Sequence, residues 1–315
     1  MARVLFGGVG AGYFGRFHAL KVAAGARSVL VGVHDAVAGR AEGLAAEAGC
    51  AALGWEALLG ACDAVVIASP AASHHAMAAA ALRAGRHVLV EKPVATSLAE
   101  ADALIELARA GGLVLQVGHL LRYSPERAAI VARMARPAYI ECTRVAPFKA
   151  RGTDVSVVLD LMVHDLDMVL SLVDAKLEGV EAVGARVASA CVDMANARLR
   201  FGNGAVAMLV ASRVAERTER RMRVFGAEGV LTLDFGARVL RHVARHGEEG
   251  EEVRWAEADL IAAEHAAFAG SVLDGAAVLV DGVAGRRALE AALMVEAAIL
   301  ASTQRAVAGG LLPPS

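Results

Sequence analysis

Val4-Leu5-Phe6-Gly7-Gly8-Val9-Gly10-Ala11-Gly12-Tyr13-Phe14-Gly15 opens the chain and decides its fold. Val4 to Val9 is an apolar run of strand length, and a helix is expected over Arg16–Ala24. Between them Gly10, Gly12 and Gly15 form G-x-G-x-x-G. The first glycine permits a tight turn, the second lets a pyrophosphate approach the backbone, and the third lets the helix pack closely on the strand. Phosphates then meet the N–H groups and positive dipole end of the helix. A glycine turn without a ligand is the plain alternative. The strand before, the helix after and Asp35 at the end of a second strand, Val29–His34, favour a dinucleotide. Asp35 is placed to accept hydrogen bonds from the adenosine ribose and to repel a 2′-phosphate. Ala36-Val37-Ala38 puts no arginine directly after it, so NAD is expected over NADP. Capping the next helix is the other use for this carboxylate.

Outward from the loop, strands and helices alternate. Helix Gly39–Ala48, strand Ala64–Ala68, helix Ser73–Ala84, strand His87–Glu91, helix Ser97–Ala110 and strand Leu113–Val117 follow in turn. Ala64-Val65-Val66-Ile67-Ala68 is apolar throughout, as in a parallel strand buried on both faces. The pattern predicts right-handed crossovers and a doubly wound parallel sheet of Rossmann type over residues 1–119. The rhythm then changes. One helix, Val155–Val173, precedes strands at Gly179–Val187, Val192–Phe201, Ala205–Val214, Arg221–Phe225, Val230–Phe235 and Arg238–Val243. Phe201-Gly202-Asn203-Gly204-Ala205 is a hairpin turn signal, and His246-Gly247-Glu248-Glu249-Gly250 marks another turn. Helices Ala258–Leu273 and Val283–Val307 close the chain before a Pro313-Pro314 tail. Residues 120–315 therefore form an α+β domain with a mainly antiparallel open sheet, and the last helix is free to pack back on the first domain. The class is α/β overall.

A length of 315 residues suits two domains, each with its own core. Thirty-two basic and 34 acidic residues leave a net charge of −2, without the basic excess of a nucleic-acid-binding protein. Arg217, Arg220, Arg221 and Arg223 alternate with Glu216 and Glu219, as on a solvated strand edge. No signal peptide and no unbroken apolar span of membrane length is apparent, so a cytoplasmic location is expected. Cys50, Cys62, Cys142 and Cys191 have no metal or redox spacing and read as buried thiols.

Two places carry candidate chemistry. Glu91-Lys92-Pro93 stands at the end of a predicted strand, where doubly wound sheets bind ligands. There a lysine can be tuned by burial and can hydrogen-bond the oxygen of an alcohol or carbonyl. Proline, in either isomer, fixes the backbone after it. An ordinary surface lysine is the alternative. In the apolar helix Val155–Val173, Asp160, His164 and Asp167 fall at i, i+4 and i+7 and share a face, with Asp165 beside them. Buried ionisable groups are costly unless paired or used, and a histidine between carboxylates is oriented for proton transfer. A structural histidine is the alternative. A metal on Asp160 and His164 would need a third ligand that no spacing supplies, so no metal is expected. His119, Arg122 and Tyr123 follow the last parallel strand. Arg144, Lys149, Arg151 and Asp154 precede the polar-striped helix. Either group offers charge for an anionic substrate, or is plain surface charge.

Taken in order, Gly10-x-Gly12-x-x-Gly15, Ser69-Pro70 with His74, Glu91-Lys92-Pro93, Gly118-His119 with Arg122-Tyr123-Ser124-Pro125, and Asp160-Leu-Met-Val-His164-Asp165-Leu-Asp167 resemble the Gfo/Idh/MocA oxidoreductases. The resemblance runs to the end of the chain, through Phe268 to Gly275 and Gly285-Arg286-Arg287. It implies a Rossmann domain holding NAD through Gly10, Gly12, Tyr13, Phe14, Gly15, Asp35, Ser69, Pro70, His74, Glu91 and Lys92. It further implies Lys92, Asp160 and His164 as the catalytic group, with an open sheet that builds homodimers or homotetramers. The stretches at His119–Pro125 and Asp160–Asp167 are similar to members that oxidise UDP-linked amino sugars at the 3-position. In that case Arg122, Lys149 and Arg151 meet the pyrophosphate, and His119, Tyr123 and Asp167 join the substrate site. A dehydrogenase of free sugars or inositol and a non-catalytic NAD sensor are the competing expectations; the trio Lys92, Asp160 and His164 argues against the sensor.

Overall fold

The computed structural model describes residues 2–149, 153, 155–245 and 250–311. The chain divides into two compact units, one of residues 1–123 with 259–289 and one of residues 124–258 with 290–315.

The first unit is built on a six-stranded parallel sheet. Its strands are β1 (Val4–Val9), β2 (Ser28–His34), β3 (Ala51–Ala52), β4 (Ala64–Ile67), β5 (His87–Glu91) and β6 (Leu115–Gly118). They lie in the order β3-β2-β1-β4-β5-β6, all parallel. The connections are α1 (Tyr13–Ala24), α2 (Ala38–Ala48), α3 (Trp55–Ala61), α4 (Ala71–Arg83) and α5 (Leu98–Gly111). This is the doubly wound order, and its switch point lies between β1 and β4. β4 is buried at every residue, as its unbroken apolar run requires. Ser97 and Glu100 form a reciprocal capping box at the start of α5. Helix α1 begins at Tyr13, three residues earlier than expected, so Tyr13 and Phe14 belong to its first turn. Short β3 and α3 were not expected; two alanines and seven residues carry too little periodicity to register.

Helix α8 (Leu260–Asp274) also belongs to this unit. Phe268, fully buried, packs on Phe6 of β1 with ring centroids 5.6 Å apart. A division at residue 119 leaves this segment with the second domain; the apolar face around Phe268 and Ala269 instead joins the core of β1, β2 and α1. The long α9 (Gly282–Ala308) starts in the first unit and ends in the second. By length and composition alone α9 could cross a membrane. One face of it, with Ala288, Leu289, Ala291, Ala292 and Val295, is buried in protein, and Ser156 donates a hydrogen bond to Glu296.

Among the described residues, the second unit holds α6 (Pro125–Val131), α7 (Val163–Leu172) and eight strands. These are β7 (Pro137–Val145), β8 (Leu177–Ala185), β9 (Met194–Phe201), β10 (Val206–Ser212), β11 (Glu219–Gly226), β12 (Gly229–Asp234), β13 (Val239–Ala244) and β14 (Glu251–Arg254). The order is β14-β13-β12-β11-β7-β10-β9-β8. Among the described residues only β7 and β10 pair in parallel, so the sheet is mainly antiparallel as expected. The hairpin at Gly202–Gly204 forms, with Gly204 at φ 86° and its N–H bonded to Phe201 O. Strands β7 and β14 and helix α6 were not expected. The arginine cluster lies on β11, which is interior to the sheet and not an edge. Arg217 precedes the strand, Arg221 and Arg223 face outward, where Arg221 meets Asp234 and Arg223 meets Glu141, and Arg220 lies in the other row, opposite Arg144. Cys62 and Cys142 are buried, but Cys50 and Cys191 are only half-buried, a correction to four buried thiols. Residues 246–249 of the second expected turn and the Pro313-Pro314 tail lie outside the described residues.

Candidate active site

In the first unit the ends of the parallel strands bring the cofactor candidates to one edge of the sheet. Gly10 follows β1, Asp35 follows β2, Ser69 follows β4, Lys92 follows β5 and His119 follows β6. Each glycine of the loop meets a different constraint. Gly10 has φ 92°, and a Cβ there would fall 2.7 Å from Ser69 N. A Cβ on Gly15 would fall 1.7 Å from Gly10 O, so helix and strand touch through that hydrogen. A Cβ on Gly12 would meet nothing within 4 Å. Gly12 therefore leaves open space at the N-cap of α1, and it makes no side-chain cap there. Open space at the positive end of a helix suits a pyrophosphate.

Asp35 closes this loop. Its Oδ2 accepts the N–H of Ala11 at 2.7 Å and its Oδ1 that of Val37 at 2.8 Å. It does not cap α2, whose N-cap is Val37. Partial burial opposes ionisation of Asp35, but these two N–H donors and the nearby charge of Arg40 outweigh it, and the carboxyl stays below its usual range. Each oxygen keeps a lone pair for a ribose hydroxyl. Tyr13 is exposed and Phe14 borders on it, their rings edge to face. Both ring nitrogens of buried His74 face carbonyl oxygens, Nδ1 2.8 Å from Pro93 O and Nε2 2.8 Å from Ser69 O, and the carbonyls accept from whichever nitrogen carries a proton. It thereby ties the loop after β5 to the loop after β4. Ser69 Oγ pairs with Ser73 Oγ, and Ser73 Oγ donates to Pro70 O.

Lys92 is half-buried and precedes Pro93 through a cis peptide bond. Its N–H donates to Oε2 of the buried Glu91 at 3.1 Å. Behind it lies a cluster that sequence reasoning missed. It comprises His18 of α1, Glu91, and Glu264 and His265 of α8, all buried. The signal was present: Glu264-His265 interrupts an alanine-rich apolar helix just as His164 does. His119 is also buried, and Arg122 Nη2 donates to Leu279 O at 3.2 Å, so main chain takes part of its donor fork. Tyr123 is half-buried at the end of a 3₁₀ turn, Leu120–Tyr123.

The second unit carries the polar-striped helix in altered form. Val158–Met162 is a wide π-helical turn and Val163–Leu172 is regular α-helix, where one continuous helix was expected. Asp160 sits inside the wide turn, and His164 follows one turn later. Both are half-buried and Asp167 is buried. Such wide turns concentrate at functional sites because they re-aim side chains. Arg144 is not available to an anionic substrate. It forms a buried fork with Asp165, Nε to Oδ2 at 2.9 Å and Nη2 to Oδ1 at 2.7 Å. This pair ties α7 to β7. Lys149 is exposed beyond β7. Arg151 and Asp154 lie outside the described residues.

Known proteins resemble the chain in both of its units. Residues 4–119 match the oxidoreductase family with an NAD-binding Rossmann fold, and residues 126–232 match the Gfo/Idh/MocA C-terminal domain. The UDP-N-acetylglucosamine 3-dehydrogenase of Acidithiobacillus ferrooxidans is 42% identical over 316 residues, covering 97% of this chain and all of the relative. Its solved structure matches with a TM-score of 0.91 over 96% of this chain and 99% of that one. The scyllo-inositol 2-dehydrogenase (NAD(+)) of Bacillus subtilis is 29% identical over 257 residues, 74% of this chain and 73% of the relative. The scyllo-inositol dehydrogenase of Lactobacillus casei, solved with NAD(H) and scyllo-inositol, shares the fold. Its TM-score is 0.81 at 20% identity, over 95% of this chain and 98% of that one.

Proposed function

The chain belongs to the Gfo/Idh/MocA family of NAD-binding oxidoreductases, and from that premise we propose that it oxidises the C3 hydroxyl of UDP-N-acetylglucosamine or a close UDP-amino sugar, with NAD as acceptor. One observation carries the substrate: identity of 42% across essentially the whole of a relative with that activity. Pinned, ionised Asp35 supports NAD over NADP, since it would face a 2′-phosphate with like charge.

The residues take these roles. Gly10, Gly12, Tyr13, Phe14 and Gly15 hold the pyrophosphate end, and Asp35 holds the adenosine ribose. Ser69, Pro70, His74, Glu91 and Lys92 border the rest of the cofactor. When bound, the nicotinamide supplies the hydride acceptor. His164 takes the hydroxyl proton as the C3 hydrogen leaves with its electron pair and the carbonyl forms. Asp160 orients His164 and stabilises its charged form. Lys92 hydrogen-bonds the reacting oxygen. His119, Arg122, Tyr123, Lys149, Arg151 and Asp167 serve the sugar nucleotide, the cations at its pyrophosphate.

The enzyme acts in the cytoplasm as a homodimer or homotetramer through its second sheet. The outer face of that sheet supports pairing: Val183 and Val210 share one cross-strand row with Asn196, and Met208 shares another with Arg198 and Glu141. A substrate panel tests the function. UDP-N-acetylglucosamine should reduce NAD with a better kcat/KM than inositol or free N-acetylglucosamine, and NADP should serve poorly. Good turnover of free polyols without turnover of UDP-sugars would establish the competing inositol-type reading. Binding of NAD with no turnover of any alcohol would establish a sensor.

A further inference from the structure

The cluster behind Lys92 has an order fixed by donors and acceptors. Glu91 is held below the usual carboxylate range. Burial opposes this, but the His18 hydrogen bond and charge, with Lys92, outweigh it. An ionised carboxylate only accepts, so Nε2 of His18, 2.9 Å from Glu91 Oε1, donates to it. On the other ring edge, His18 Nδ1 and His265 Nε2 share a proton across 3.0 Å. Burial first, and the neighbouring His18 second, push His265 down to about 3, so this outer imidazole is neutral. A single line of contacts therefore runs from α8 through α1 to the end of β5: His265, His18, Glu91, and then the Lys92 N–H on the second carboxylate oxygen. The β5–β6 ladder pairs residues only as far as Glu91 with Gly118. Beyond that register, the Glu91 side chain takes the Lys92 N–H that a ladder would otherwise satisfy.

Glu264 completes the cluster. Its side-chain oxygens have no hydrogen-bond partner among the described residues, and it lies with His18 and Glu91 in one group whose ligating atoms fall within 4.8 Å. Burial, with the charge of Glu91, raises it well above the usual range. A neutral carboxyl there adds no second negative charge beside Glu91.

We propose that His18 is a positioning residue for Lys92: clamped by His265 from α8, it holds Glu91, and Glu91 fixes the main chain that presents the lysine. The proposal rests on the reading of Lys92 as a catalytic residue. Misplacing a reacting group by about 1 Å costs on the order of 100-fold in rate.

Side-chain length makes the test selective. A glutamine amide reaches the level of imidazole Nε2 and can donate to Glu91; an asparagine amide reaches only the level of Nδ1; phenylalanine fills the space and donates nothing. In His18→Phe and His18→Asn, kcat should fall by up to about 100-fold, a larger change than that in the dissociation constant for NAD. His18→Gln should restore most of the turnover. His265→Ala, which leaves the Glu91 contact intact but unsupported, should lower kcat in the same sense by less, and it serves if His18→Phe does not fold. Wild-type kcat in folded His18→Phe and His18→Asn, or a loss confined to NAD affinity, would overturn the proposal. Lys92→Met is the reference: if it retains full turnover, the reading of Lys92 fails, whatever His18 does. Treatment with EDTA and added zinc forms the last arm. Wild type and Glu264→Gln should melt alike in both. A wild type destabilised by EDTA and restored by zinc, with Glu264→Gln indifferent, would make His18, Glu91 and Glu264 a metal site and replace the clamp.

Discussion

Three residues apart on one loop, Gly12 and Gly15 should respond oppositely to a methyl group. The Gly12 Cβ would enter open space, while that of Gly15 would strike Gly10 O at 1.7 Å. Gly12→Ala should therefore melt close to wild type but bind NAD weakly. Blocking one or two charge-assisted hydrogen bonds, each worth about 1.5–3 kcal/mol, corresponds to roughly ten- to a hundredfold or more in affinity. Gly15→Ala should lose stability itself, by about 1–3 kcal/mol or more from overpacking. Thermal melts paired with NAD titration check both; equal loss of stability in the two variants would contradict the division of roles. The loop was legible in the sequence because glycine spacing and Asp35 are local signals. The double duty of Asp35 was not, since its bond to Ala11 joins residues 24 apart. Nor was the His18–His265 pair, which joins residues 247 apart.

At the scale of elements, α7 and β7 depend on the Arg144–Asp165 fork. Arg144 is 8% exposed and Asp165 4%, so removing one partner leaves a buried charge unpaired. Arg144→Met or Asp165→Leu alone should destabilise by about 3–5 kcal/mol. The double variant should recover much of that, because two apolar groups leave no charge to solvate. Urea denaturation of the four proteins checks this, and additive losses would contradict it. Sequence periodicity found the helix that carries Asp160 and His164 but not its wide turn, since a π turn shifts the phase without changing composition. It also overlooked β7, whose Tyr139, Glu141 and Thr143 face outward between buried Ile140, Cys142 and Arg144. A buried arginine in the inward row breaks the apolar alternation that marks a half-buried strand.

At the scale of the molecule, the chain crosses from the first unit to the second, returns with residues 259–289, and leaves again along α9. Alternation of strands and helices shows a parallel sheet, and a run of strands shows an antiparallel one. Neither shows that the chain rejoins the first core after residues 124–258, because that follows from the fit of Phe268 against Phe6. The return matters for function, since it brings Glu264 and His265 behind Lys92. The chemistry proposed for the assembled enzyme reduces to one bond: the C–H at C3 of a UDP-linked amino sugar. UDP-N-acetylglucosamine carrying deuterium at C3 tests it most directly, followed by mass spectrometry of the reduced cofactor. The account predicts deuterated NADH in step with a 3-keto sugar nucleotide. Reduced cofactor without deuterium, under turnover of the same substrate, would contradict it.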